Sequence, residues 1–320
     1  MKQNKSASWW SLLKDKYGHK RMKATAYILL IGGVSFLIHA LFTVGLGHSA
    51  LLYMLIPYGI SVIITFLRSY DEPKTRGERY GRHIGNAFIV LLASSIVLLE
   101  GVVCVIFFFP IYFIIVTIAY AFAPSDDNNS KLRSVWVPAI VLAMSLEGTT
   151  DFLSLDRNYS VSVTKVTSLS VSEVKENLAS PFNLDKKRDW MLSVFPMPYQ
   201  IEAGSLKAGD VHKIKTRYHR WFVTNTHEGE AELLIEHVGD KRVRTKMVSD
   251  TTYFSTYLAL NGTQIDFESL ATGGTEITLK IDFERKLDPA WYFGPLQKMA
   301  VSKMAEFLID EVMIRESGIH

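Results

Sequence analysis

A single cysteine in 320 residues, Cys104, excludes an intrachain disulfide and any cluster of thiolate metal ligands. Signatures of catalysis are missing as well. The chain has no Gly-x-Ser-x-Gly elbow, no His-Glu-x-x-His pair and no phosphate-cradling glycine loop, and its nine histidines lack metal-ligand spacing. No catalytic residue, metal or cofactor is therefore expected. A basic stripe interleaved with aromatics is absent too, so nucleic acid is not an expected partner. Acidic residues are scarce in the first part: residues 1–150 hold 8 Asp/Glu against 14 Lys/Arg, whereas residues 151–320 hold 24 against 21. The net charge of +3 thus belongs to the first part, where it suits orientation in a bilayer.

What is present divides the same way. Hydrophobic residues make up 48% of the chain and concentrate before residue 150. A basic lead over 1–23, with Trp9 and Trp10 ahead of Lys14, Lys16, Lys20, Arg21 and Lys23, suits an interfacial segment on an anionic leaflet. Its polar stretch is long and no small-x-small site follows, so cleavage as a signal peptide is not expected. Four membrane spans follow, over 24–45, 49–67, 84–102 and 103–123, each offering roughly the 20 apolar residues that cross about 30 Å of hydrocarbon. Arg68, Lys74, Arg76, Arg79 and Arg82 lie between the two pairs and place that loop, with the N-terminus, in the cytoplasm. A fifth crossing over 135–155 would carry the rest of the chain out of the cytoplasm, and an interfacial placement would keep it in. The crossing is the expectation adopted, in a bacterial inner membrane. Glu100 and Glu147, both in "LEG", read as interfacial carboxylates that mark helix ends, and His39 as a packing hydrogen bonder. The organisation expected is a lead over 1–23, a transmembrane domain over 24–148, a linker over 149–156 and a folded domain over 157–320.

In that last domain "NYSVSVTKVTSLS" alternates as a strand, and "SVSEVKENLAS" is a short helix with Ser172 as its N-cap and Pro181 closing it. An aromatic, proline-rich passage precedes strands at 211–219, 229–238, 242–250, 262–270 and 275–286. The "GDK" at 239–241 and "TGG" at 272–274 supply hairpin turns. The period then changes at Pro289. A long helix begins there, with Asp288 as N-cap and an apolar stripe of Leu296, Met299, Ala300, Met304, Phe307, Leu308 and Val312. The result is an α+β pattern whose terminal helix covers the dry face of a curved antiparallel sheet.

This order, with "LKAGD" at 206–210 entering a strand and "LDPAWYFGP" at 287–295 opening the last helix, resembles the START-like, or SRPBCC, helix-grip superfamily, which includes the polyketide cyclase/dehydrase group. With "EGVVCVIFFFP" and the spans before it, the chain is similar to bacterial proteins that place such a domain after transmembrane helices. The resemblance implies a cavity under the helix for an apolar ligand. Alternation puts Ile214, Tyr218, Leu233, Ile235, Val243 and Met247 on the inner face, with His212, Thr216, His237 and Thr245 as its polar members. Ile265, Phe267, Leu279 and Ile281, with Met299, Ala300 and Met304 on the helix, are expected to line the body of the site. Phe283, Trp291 and Tyr292 are expected at its entrance. The expected function is non-enzymatic binding of a lipid or other hydrophobic small molecule at the bilayer. A cyclase or hydrolase would need two polar side chains meeting in the cavity, and an assembly protein would fill it with its own aromatics.

Overall fold

The computed structural model describes residues 16–66, 75–97, 102–122, 130–183, 197–221, 224–271 and 273–315. The chain forms two compact units, residues 1–149 and 150–320. Trp9, Trp10, Arg68, Lys74 and Glu100 lie outside the described residues.

The first unit is helical. Helix α1 spans Lys16–Thr43 and ends where Gly45 takes a positive φ of 79°. A π turn over Leu51–Leu55 leads into α2, Ile56–Phe66. Helix α3, Arg76–Val97, opens on a reciprocal cap in which the Glu78 N–H donates to Thr75 Oγ1 and the Thr75 N–H to Glu78 Oε2, both at 3.3 Å. Helix α4 is Val102–Ala121 and α5 is Ser130–Ser145. Among the described residues one stretch, Ala24–Thr43, is long and apolar enough to cross a bilayer, while Leu51–Thr65, Val105–Ala121 and Trp136–Ser145 are shorter apolar helices. The expected fifth span is not one helix: α5 stops at Ser145, Gly148 turns left-handed, and Asp151–Leu153 is a separate 3-10 turn. His39 is exposed, and among the described residues of the bundle it is His83 that is buried, with its Nε2 2.7 Å from Ser61 Oγ. Glu147 is half-buried and its carbonyl accepts the Ala50 N–H at 2.9 Å.

Among the described residues the second unit is an eight-stranded antiparallel sheet with a helix laid across it. Its strands are β1 (Asn158–Thr167), β2 (Phe182–Asn183), β3 (Met197–Glu202), β4 (Val211–Trp221), β5 (Thr224–Val238), β6 (Arg242–Asp250), β7 (Leu258–Ser269) and β8 (Thr275–Arg285). They lie in the order β1-β8-β7-β6-β5-β4-β3-β2. Alternation is cleanest on β8, where every second residue from Thr275 to Arg285 is buried. Gly273 and Gly274 make the β7–β8 turn at φ of 86° and 88°, and a Cβ on Gly274 would stand 2.2 Å from the Thr167 carbonyl.

Helix α6, Val171–Ala179, is capped by Ser170 rather than Ser172: the Ser170 side chain accepts the Glu173 N–H, and Glu173 returns a bond to the Ser170 N–H. Helix α7 covers Ala290–Leu308 and passes into a π turn, Ile309–Met313. Its deepest positions are Phe293, Gln297, Val301, Ala305 and Ile309, one residue around from the expected stripe. The expected cap is also displaced. Pro289 is the N-cap and makes no side-chain cap bond, while Asp288 is fully buried between Arg285 and Arg157. The core joins Ile277, Leu279, Ile281 and Phe283 of β8 with Val301, Ala305 and Ile309, and each large side chain so buried contributes about 1.5–3 kcal/mol.

Candidate functional site

The two faces of β4 show how the site is set. Lys213, Lys215 and Arg217 point outward and pair with Glu230 at 2.9 Å, with Glu202 and with Glu228 at 2.8 Å. The Glu232 and Glu230 carboxylates bonded to Lys213 push its ammonium above the ordinary lysine range, and Glu202 does the same for Lys215. These are exposed pairs, screened by water, and they mark the wet face rather than hold the fold. The intervening residues of β4, Ile214, Thr216 and Tyr218, therefore point inward, opposite Ala231, Gly229 and His227 of β5. Gly229 is required there, since a Cβ would stand 2.5 Å from the Thr251 carbonyl.

Two bulges between β5 and β6 then break the alternation. The first, between Glu232 and Leu233, pairs Leu233 with Met247 but Ala231 with Asp250, so Asp250 turns to the inner face. The second, between Ile235 and His237, pairs His237 with Arg244 and Val238 with Val243. Val238 takes the inward place beside the core, and His237 is exposed, not on the inner face that strict alternation assigned to it. The "LKAGD" turn is anchored to the same strand: Gly209, at a φ of 96°, donates to the Ile235 carbonyl at 2.8 Å, and the Ile235 N–H donates to Asp210 at 2.9 Å.

The inner face is sealed on one side and looser on the other. Over β7 and β8, Ile265, Phe267, Leu279, Ile281 and Phe283 are buried in one cluster with the underside of α7. Over β4 to β6, Ile235 and Tyr218 are buried, but Ile214, Leu233, Met247 and Thr245 remain half-exposed. On the flank of α7, Leu296, Ala300 and Met304 are half-exposed as well. Across this strip Thr245 Oγ1 and Thr263 Oγ1 meet at 2.8 Å. Ile201, Ile214, Phe307, Leu308 and Val312 close one end.

Aromatic rings form the other end. Tyr218 stacks on Tyr253 with centroids 4.5 Å apart, His227 lies 5.9 Å from Tyr253, and the Tyr253 and Tyr257 hydroxyls meet at 2.9 Å. Gln297 reaches this cluster from α7 and donates to the Tyr257 carbonyl at 3.1 Å. Of the residues expected at the entrance, Phe283 is buried, whereas Trp291 is 44% exposed and stands edge-on to Tyr292 at 5.8 Å. Met299 is 46% exposed on the far side of the helix from Val301. Asp250, Tyr253, Tyr257 and Gln297 escaped sequence reasoning: a bulge reversed the first, a turn carries the next two, and Gln297 is a polar residue inside an apolar stripe.

No family model matches the sequence, and no curated protein matches it. Solved structures that resemble the chain include a protein of unknown function from Staphylococcus aureus, at 17% identity and a TM-score of 0.33 over 49% of this chain and 92% of that one. A START superfamily protein from Mycobacterium smegmatis matches at 11% identity and a TM-score of 0.33, over 48% and 96%. The Aha1 dimer from Colwellia psychrerythraea matches at 10% and 0.28, over 49% and 97%. Scores of this size carry no argument about activity, so the functional reading rests on the inner face of the sheet and on the flank of α7.

Proposed function

We propose that residues 150–320 bind an apolar small molecule, a lipid or a molecule like one, in the concavity between β4–β6 and α7, and that the first unit holds this module at a bilayer. The observation that carries the reading is the contrast across one sheet face. Side chains over β8 are sealed at 1% exposure or less, while inward Leu233, Met247 and Ile214, and Ala300 and Met304 of α7, are not. An apolar strip with few polar groups, walled by a rigid sheet and a helix, suits a small-molecule site. Support for the bilayer comes from the outward-facing side chains of the first unit, among them Ile28, Phe36, Ile89, Ile96 and Trp136, each more than half exposed. So large an apolar surface is rare on a protein bathed in water on all sides. We read α1, the helical stretch 51–66, α3 and α4 as the spans.

Ala300→Trp tests the pocket. Added bulk costs about 1–3 kcal/mol in a packed core but little in open space. The full chain, purified in detergent, is expected to carry lipid detectable by mass spectrometry. The variant is expected to keep its unfolding midpoint and lose most of that lipid and of fluorescent fatty-acid uptake. A wild type that carries and takes up nothing, with a variant that unfolds, would show a closed core and favour an assembly role.

A further inference from the structure

At the tyrosine end of the concavity two buried oxygens have nothing to accept from. Gln297 is 6% exposed, its Nε2 is committed to the Tyr257 carbonyl, and that bond fixes which way round the amide lies. Its Oε1 is left buried without a donor. Asp250, turned inward by the first bulge, accepts the Thr252 N–H at Oδ1 at 2.9 Å and buries Oδ2 without a partner. One short segment links the two. Asp250 opens the turn that carries Tyr253, the Tyr253 hydroxyl meets that of Tyr257, and Tyr257 holds Gln297. Buried acceptors without donors are uncommon enough that each calls for an explanation.

Several donors of this region are committed elsewhere. Lys286 Nζ donates to the Ser255 carbonyl at 2.6 Å, Arg285 to Asp288 and the Leu287 carbonyl, and His227 Nε2 lies 3.1 Å from the Thr251 carbonyl. A carboxylate entering here would add acceptors and a negative charge beside Asp250. A hydroxyl or an ammonium would bring what the two oxygens lack.

We infer that the ligand of this concavity has an apolar tail and a hydrogen-bond-donating head, a hydroxyl or an ammonium, and that Gln297 Oε1 and Asp250 Oδ2 receive it. This deepens the binding reading and rests on it. The test is native mass spectrometry of the full chain offered an equimolar mixture of palmityl alcohol, palmitylamine, palmitate and methyl palmitate, which share a chain length and differ at the head. Adducts of the alcohol or the amine are expected to exceed those of palmitate and methyl palmitate by about tenfold, the factor one good hydrogen bond supplies. Which of the two donors leads separates hydroxyl from ammonium. Asp250→Asn, which places an N–H where an acceptor stood, is expected to bring the ratio to within about twofold of unity, a loss of the same single bond. Gln297→Leu is expected to do likewise, and should it fail to fold, the wild-type ratio and Asp250→Asn still decide. Palmitate or methyl palmitate bound as well as the donors by wild type would overturn the inference and leave the pocket standing. No adduct of any kind would overturn both.

Discussion

Asp288 shows how one residue can be legible in type and misread in role. An Asp before Pro at a helix start reads as an N-cap, whose loss costs about 1 kcal/mol. In the fold it is fully buried, paired with Arg285 and, at 2.5 Å, with Arg157 at the beginning of β1. Removing the one carboxylate between two guanidinium groups leaves buried charge uncompensated, a loss of about 3–5 kcal/mol. Asp288→Ala should therefore destabilise the protein severely in urea melts, and a drop near 1 kcal/mol would return Asp288 to the cap. Asp266 makes the corresponding statement about pH. Burial alone would raise its carboxyl, but bonds from Arg242 and Gln264 outweigh burial and hold it below the usual aspartate range. A depressed carboxyl stabilises the fold above its unfolded pKa, and this contribution fades as pH falls through the folded value. Urea midpoints from about pH 6 to 3 should thus fall less steeply for Arg242→Gln than for wild type, because the variant has less of this term to lose. Parallel curves would show the pair to be idle.

At the scale of elements, the strands were the most legible part of the chain, because a half-buried strand writes its two faces into alternate residues. β8 does so without interruption, with Ile277, Leu279, Ile281 and Phe283 inside and Thr278, Lys280, Asp282 and Glu284 outside. β3 was hidden: Pro198 and the register shift beside it spoil the alternation, and its partner β2 is two residues long. β5 and β6 were found, but not their bulges, since an extra residue in one strand is visible only once the partner is known. Those bulges took His237 out of the inner face and brought Asp250 in, so the site was less legible than the fold. Helix α6 has the same lesson in its cap. Ser170 and Ser172 both stand near its start, and only the bond to Glu173 separates them. The Ser170 backbone and hydroxyl bonds also draw the Glu173 carboxyl below the ordinary glutamate range. Ser170→Ala should lower stability by about 0.5–2 kcal/mol, the cost of a lost cap. Ser172→Ala should leave the thermal midpoint nearly unchanged, and the reverse order would move the cap two residues on.

For the whole molecule the open question is the side of the bilayer on which the second unit works, and the length of α5 bears on it directly. The helix, Ser130–Ser145, gives about 24 Å at 1.5 Å per residue, against roughly 30 Å of hydrocarbon. The residues that would have completed a fifth span turn at Gly148 and run as a 3-10 turn over Asp151–Leu153. Phe152, at 94% exposure, and Leu155, at 60%, make that segment a candidate for the interface rather than for a crossing. On the four-span reading proposed above, which leaves α5 out because the chain turns at Gly148, an even number of crossings would return the chain to its starting side. By the positive-inside rule, Arg76, Arg79 and Arg82 at the start of α3, with the lysines ahead of α1, would put that side in the cytoplasm. That reading is the alternative to the crossing expected over 135–155, and we propose on it that the second unit works on the cytoplasmic side. A fluorescent protein fused after His320 should therefore fold and emit, as should one inserted within 70–74. Alkaline phosphatase at either position should stay inactive. Active phosphatase at the C-terminus alone would restore the fifth crossing and place the pocket outside the cytoplasm.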